Sequence, residues 1–341
     1  MRNFLILVLL FCLAGCWPGE SYNCKGLPDV NQSFVLFHFI NEHEAYLVGT
    51  LTHFEEMSEQ ELKNPEFIPN SVEEGTVYKT NDGGLSWVKI NSHMGYYYSE
   101  AVVDADNRHL YVLQYAWKSQ RPSIVSIDLK TFQETISDSF PAPISDMWMN
   151  GENLSFTTNR GNMYLYTLNP AFTMVDSTSV AEYFVKGVTS NKHCYGIIAT
   201  SKNHRLYELG DEGLLSQIPL TFNPDDIAAL NDSVMIIAGQ NSNKVDIALY
   251  NTSTGKSTRL TSLNGYTILN DLHIQDDAIT AFVGNICGMS VCYDLCYSLD
   301  AGKTWKLEKN VIHYQPSTLL GKTLYIYKGA ARITKINLED L

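Results

Sequence analysis

Two stretches of this chain, T-N-D-G-G-L-S-W at Thr80–Trp87 and S-L-D-A-G-K-T-W at Ser298–Trp305, share one spacing of chemically specialised residues. A hydroxyl residue (Thr80, Ser298) is followed two positions on by Asp (Asp82, Asp300) and two further on by Gly (Gly84, Gly302). A second hydroxyl (Ser86, Thr304) and a Trp (Trp87, Trp305) complete each stretch. Hydroxyl and carboxylate oxygens at these offsets cap backbone N–H groups of a tight turn. The Gly supplies a positive φ without steric cost, and the Trp opens the outgoing strand with its ring folded over the loop. Ordinary residue usage gives such a match in roughly one chain in five thousand. A pair therefore marks one structural unit used twice, a hairpin turn between antiparallel strands.

The pattern resembles the Asp-box (BNR) repeat, which sits between the third and fourth strands of β-propeller blades. The resemblance implies a β-propeller, an all-β fold, and the count of strand units gives seven blades, with six or eight as the alternatives if an insertion is divided differently. The two turns lie about 218 residues apart, or about five intervals of about 44 residues, a spacing suited to blades. Apolar alternation and turn residues divide the chain into four-strand units over 34–91, 100–137, 144–177, 184–220, 226–262 and 270–308, followed by three strands over 317–337. The missing twenty-eighth strand is expected from the segment Tyr22–Gln32, because propellers close their ring by letting a terminus complete the last blade. Weaker versions of the turn are expected at Ser126-Ile127-Asp128 and from Asn251 to Gly255.

The first residues read as a targeting segment. Arg2 precedes the apolar run Phe4–Leu13, too short to anchor across a bilayer. The run ends in Leu13-Ala14-Gly15-Cys16, which resembles the lipobox of bacterial lipoproteins and implies lipidation of Cys16; an ordinary signal peptide containing a Cys is the alternative. Residues 1–15 are then a signal peptide, 16–33 a lipidated tether and closing strand, and 34–341 the propeller. Trp17 in place of Asp after Cys16 points to the outer membrane, facing the periplasm, over the inner one. An exported chain suits disulfides, and Cys287–Cys292 is the expected pair, closing a four-residue hairpin loop. Cys287, Cys292 and Cys296 lack the spacing of a structural zinc site, and Cys194 is expected to stay a free thiol. No metal or other cofactor is expected, and a structural role is expected for His38 and His43.

The formal net charge of −13 argues against nucleic acid and suits a basic protein partner. Residues 51–75 form an insertion with seven glutamates, Glu55, Glu56, Glu59, Glu61, Glu66, Glu73 and Glu74, read either as a functional flap or as a solvated loop. Propeller geometry puts this insertion on the face opposite the Asp-box turns, together with the crossings between blades. Aromatic and Arg side chains expected there, Tyr96, Tyr97, Tyr98, Trp117, Arg121, Phe140, Tyr266, His313 and Tyr314, form the candidate partner-binding face. No catalytic set is apparent. Sialidases also carry Asp boxes, and a sialidase-like glycan-processing or glycan-binding protein is the alternative; but the Arg-Ile-Pro signature of that family is absent, and Arg121-Pro122 falls in the wrong loop. The chain also resembles Asp-box lipoproteins, including seven-bladed photosystem-assembly propellers, whose G-G-x-T-W turns recur in most blades where this chain has two. The expectation is a membrane-anchored extracytoplasmic propeller that acts by binding, as a scaffold or as an immunity protein.

Overall fold

The computed structural model describes residues 19–29, 31–55, 70–160, 162–180, 183–200, 203–210, 213–311 and 316–341. Cys16, His313, Tyr314 and most of the acidic insertion lie outside these residues. Among the described residues all regular structure is strand, arranged as seven antiparallel four-stranded blades. Their inner strands are Gln32–Phe39, Tyr96–Val103, Ile144–Asn150, Tyr183–Ser190, Asn223–Asn231, Ile268–Gln275 and Ser317–Leu320. Blades 1 and 2 are joined into one larger sheet by a single parallel bridge, Glu74 to Tyr96.

The last blade is completed by Glu20–Asn23, which pairs antiparallel with Arg332–Asn337, Glu20 opposite Lys335 and Asn23 opposite Arg332. The closing strand thus begins before the expected segment, and Gln32 already belongs to the inner strand of blade 1. Ser21 and Thr334 add a hydroxyl–hydroxyl bond of 2.7 Å across the seam.

Buried side chains explain why a ring forms. The second strands read as near-continuous apolar runs because strand neighbours point to opposite faces and each face meets another blade. In blade 1, Ala45 and Leu47 pack with Tyr325, Tyr327 and Ile333 of blade 7, while Tyr46 and Val48 pack with Tyr98, Leu110 and Val112 of blade 2. In blade 5, Met235 and Ile237 face blade 4, and Ile236 and Ala238 face blade 6. Each of the seven junctions, including that between blades 7 and 1, has its own apolar cluster. An open row of seven sheets would have six junctions, so the seventh is the mark of closure.

The two Asp-containing turns join third to outer strands in blades 1 and 6 and are bonded alike. Thr80 Oγ1 accepts the Gly84 N–H at 3.0 Å, and Ser298 Oγ accepts that of Gly302 at 2.8 Å. Asp82 Oδ1 accepts the Ser86 N–H, and Asp300 Oδ1 the Thr304 N–H, both at 2.8 Å. Trp87 and Trp305 donate their indole N–H to Gly84 O and Gly302 O, both at 2.9 Å. The Thr304 N–H, with the Thr304 and Ser298 hydroxyls, holds the Asp300 carboxyl down to about 2. At Asp82 burial opposes the same effect, but bonds from Ser86 and Thr80 outweigh it and the carboxyl is again lowered. Asp128 caps Lys130 and Thr131, and Asn251 caps Thr254, in the corresponding turns of blades 2 and 5. Blade 3 uses Asn169 in the same way, capping Ala171 and Thr173.

Gly302 has φ +85°, and a Cβ there would lie 2.7 Å from Leu260 Cδ1. Leu260 can yield, so backbone strain sets the penalty. Gly302→Ala is expected to cost about 1–2 kcal/mol, read as a lower urea midpoint at unchanged slope.

Candidate functional site

Loops from second to third strands and crossings between blades share one face, and blade 2 gathers aromatic side chains on it. Tyr115 forms the base: its hydroxyl donates to Ile144 O at 3.2 Å and accepts the Ile144 N–H at 3.0 Å. Tyr97 stacks on Tyr115 with centroids 5.1 Å apart and planes within 8°, and Trp117 meets the Tyr97 ring edge-on at 6.3 Å. The turn beyond Trp117 folds back, with the Gln120 side-chain amide donating to Trp117 O at 2.7 Å and accepting from the Tyr97 hydroxyl at 2.9 Å. Burial raises the Tyr97 and Tyr115 phenols above their ordinary value, so both are neutral donors at physiological pH.

Beside this stack lies a cavity of about 440 Å³ lined by Gln120, Arg121, Pro122, Phe140, Pro141 and Pro143 among others. Phe140 is fixed by an edge-to-face contact with Phe156 at 4.9 Å and by its N–H to Pro122 O at 2.8 Å. Trp117 is 37% exposed and Arg121 is exposed. Four of the expected face residues, Tyr97, Trp117, Arg121 and Phe140, therefore come together on one blade, with Tyr96 half-buried at the blade 1–2 bridge.

Two others do not present a ring to solvent. Tyr98 is 2% exposed, because the register shift between Tyr98 and Glu100 turns it into the blade 1–2 core, and its N–H bonds Thr50 Oγ1 at 2.8 Å. Tyr266 is 7% exposed, packed in the blade 5–6 junction with its hydroxyl on Asp294 and Lys309. Sequence position placed both at crossings, where inward and outward side chains look alike.

A second group of polar residues, on the inner strands, went unnoticed in the sequence. Six inner strands carry a register shift, at Phe34/Leu36, Tyr98/Glu100, Ile144/Asp146, Phe184/Lys186, Pro224/Asp226 and Asn270/His273. In blades 2 to 5 the residue after the shift is charged and reaches the next blade. Glu100 accepts the Met147 N–H at 3.1 Å, and Asp146 accepts that of Gly187 at 2.6 Å. Lys186 pairs with Asp226, which accepts the Leu272 N–H at 3.1 Å. Burial raises Glu100 well above the carboxylate range, and the bonded Asp146 raises it further. Asp146 is pushed up to about 6 by burial, opposed by the Gly187 N–H and Lys186. Lys186 is raised because Asp226 and Asp146 outweigh the burial that opposes its charge. The signal that would have found this belt is a charged residue at the third to fifth position of successive inner strands, repeating at the blade period.

Arg108, Arg121, Arg205, Arg259 and Arg332, the arginines with described side chains, lie on loops, third strands or an outer strand; none is on an inner strand. Among the described residues no group of three or more His, Cys, Asp or Glu side chains is arranged to hold a metal ion. His38 instead bonds Asn107 Oδ1 at 2.8 Å across the blade 1–2 junction, and burial lowers its pKa. The expected Cys287–Cys292 disulfide is present, across a two-residue turn tighter than the loop expected; Cys24, Cys194 and Cys296 are free thiols.

No protein-family model and no curated protein matches this chain. Solved structures do. An uncharacterised protein from Listeria monocytogenes EGD-e matches at TM-score 0.62 and 13% identity, over 94% of this chain and 95% of that one. The β-propeller domain of the Trilobed protease from Pyrococcus furiosus, described as having an open velcro topology, matches at TM-score 0.60 and 8% identity, over 92% and 97%. A putative 6-phosphogluconolactonase from Bacteroides uniformis matches at TM-score 0.56 and 13% identity, over 84% and 89%. At these identities the likeness concerns fold alone. Together with the seven blades and their seven junctions, it makes the chain a β-propeller whose ring is closed by the strand Glu20–Asn23.

Proposed function

We propose that this propeller is a binding module of the bacterial cell envelope, lipid-anchored through Cys16, that holds a protein partner on the face opposite its Asp-box turns. The observation that carries the reading is the platform of Tyr115, Tyr97 and Trp117 beside the cavity at Arg121 and Phe140. The stacked aromatic rings are pre-ordered, with the exposed Arg121 beside them, so a partner meets contact area that loses little side-chain freedom on binding. The acidic composition favours a basic partner, which suits a blocking role such as immunity to a secreted toxin; of the glutamates expected in the insertion, Glu73 and Glu74 are instead buried in the strand Ser71–Thr80. The turns at Thr80–Trp87 and Ser298–Trp305 are read as Asp boxes that hold blades 1 and 6 and take no part in binding.

Glycan processing is the weaker reading, because a sialidase-like centre needs arginines converging on the channel mouth and no described arginine lies on an inner strand. The expected result for Trp117→Ala or Arg121→Glu is at least a tenfold loss in capture of the partner from envelope extracts, with the thermal midpoint unchanged. Equal capture by wild type and both variants would count against this face. Labelled palmitate is expected in the wild type and not in Cys16→Ser, and fluorogenic sialosides are expected to remain uncleaved.

A further inference from the structure

The hairpin of second and third strands in blade 6, Ala278–Cys287 and Ser290–Ser298, outruns its blade. Its inner neighbour pairs only as far as Ile268 opposite Gly284, and the outer strand reaches only Leu295 opposite Glu308. Residues 285–292 are therefore a two-stranded ribbon with no ladder partner on either side among the described residues. A bare ribbon of this size is marginal in water, yet this one is fixed at both ends. At its root Asp294 accepts from Tyr266, from Lys309 at 2.9 Å and from the Asn310 N–H at 2.7 Å. At its tip the Cys287–Cys292 disulfide spans the two strands.

Register separates the two sides of the ribbon. Asn285 faces Cys292 and Cys287 faces Ser290, so the disulfide occupies one side. Ile286 lies opposite Val291 on the other, with Met289 in the turn. Ile286 is 75% exposed, Val291 38%, and Met289 fully exposed. No charged residue occurs from Ala278 to Tyr293, in a chain of net charge −13. Projecting apolar side chains on a covalently stapled ribbon mark an interaction site. A bilayer is a poor occupant, since the tip lacks the basic and large aromatic residues that seat a segment in a lipid interface.

We infer that this ribbon is a preformed finger that inserts Ile286, Met289 and Val291 into an apolar pocket, rimmed by basic side chains, on a protein partner. The inference rests on the protein-binding reading above and adds a second contact to it. The stapled ribbon loses little entropy on docking, so reduction of the disulfide weakens the contact without altering the blade.

The test replaces Met289, or separately Trp117, with p-benzoylphenylalanine in the full chain and irradiates the producing cells. One discrete adduct is expected from position 289, mapping to an apolar pocket of the partner and reduced at least tenfold by Ile286→Asp and by the paired change Cys287→Ser and Cys292→Ser. Ile286 is exposed enough that Ile286→Asp folds, checked by an unchanged near-ultraviolet circular dichroism spectrum. An adduct from 117 but none from 289 would overturn the finger and leave the protein-binding reading standing; no adduct from either would remove both. Binding to phosphatidylcholine–phosphatidylglycerol vesicles that Ile286→Asp abolishes would overturn the protein partner in favour of a membrane.

Discussion

Removing the chain up to Asn23 is expected to lower stability by on the order of 3–5 kcal/mol, more than any single substitution in a blade interior turn. The loss comes from several small terms on one short strand. The ladder between Glu20–Asn23 and Arg332–Asn337 disappears, and each backbone bond is worth about 1 kcal/mol net. Tyr22 leaves the blade 7–1 cluster, and its hydroxyl no longer donates to Gly83 O at 2.9 Å. The Cys24 N–H, bonded to Ala331 O at 2.6 Å, loses the strand that orients it. What remains is a bare edge at Arg332–Asn337, a template for pairing with another chain. Urea unfolding of chains beginning at residue 17 and at residue 24 compares the two states, with sedimentation to detect the self-association expected of the shorter one. Tyr22→Phe, which removes only the bond to Gly83, is expected to cost about 1 kcal/mol. An unchanged midpoint in the truncated chain would mean that the ring holds without its seam.

The parts of this architecture that the sequence reveals are those set by local chemistry. Asp82 and Asp300 bond groups within four residues of themselves, so a short pattern carries the whole geometry and fixes the blade register. Strand limits follow because runs such as Ala45–Val48 and Ile236–Ala238 are buried on both sides and flanked by turns. The blade 3 turn was harder to see, because Asn169 caps its loop without the Gly and Trp that make the motif recognisable. The start of the closing strand was hidden for another reason: Glu20–Asn23 has little apolar alternation and becomes a strand only because Arg332–Asn337 offers an open edge. In the candidate site, the nearness of Tyr97, Trp117 and Phe140 followed from loop position. The burial of Tyr98 and Tyr266 did not: a register shift beside Tyr98 interrupts the alternation on which such a reading depends, and Tyr266 lies at a crossing outside any strand. The Glu100–Asp146–Lys186–Asp226 belt involves residues about forty positions apart, and only the packing of each blade on the next makes them neighbours.

That belt makes the stability of the molecule depend on pH. Asp146 titrates near 6 in the folded chain and near 3.8 in the open one. A carboxyl raised in this way favours the fold most below about pH 4 and withdraws that contribution as pH rises through 6. A shift of this size corresponds to on the order of 2–3 kcal/mol between pH 4 and pH 7. Asp146→Asn keeps an amide oxygen that accepts the Gly187 N–H or the bond from the protonated Glu100 carboxyl, and it carries no charge for burial to oppose. It is therefore expected to raise the melting temperature at pH 7 by several degrees, change it little at pH 4, and flatten the slope between. Lys186→Met tests the opposite charge. It strips Asp226 and Asp146 of their cation, and breaking a fully buried pair costs about 3–5 kcal/mol. Because the Lys186 side chain is 39% exposed, screening reduces the expected loss to about 2 kcal/mol at pH 7. Part of that loss should return at pH 5, where Asp146 takes up a proton in place of its missing partner. Calorimetry of wild type, Asp146→Asn and Lys186→Met from pH 4 to 8 separates these effects. Parallel curves for all three would mean that the carboxyls meet channel water freely and that the blades are joined by their apolar junctions alone.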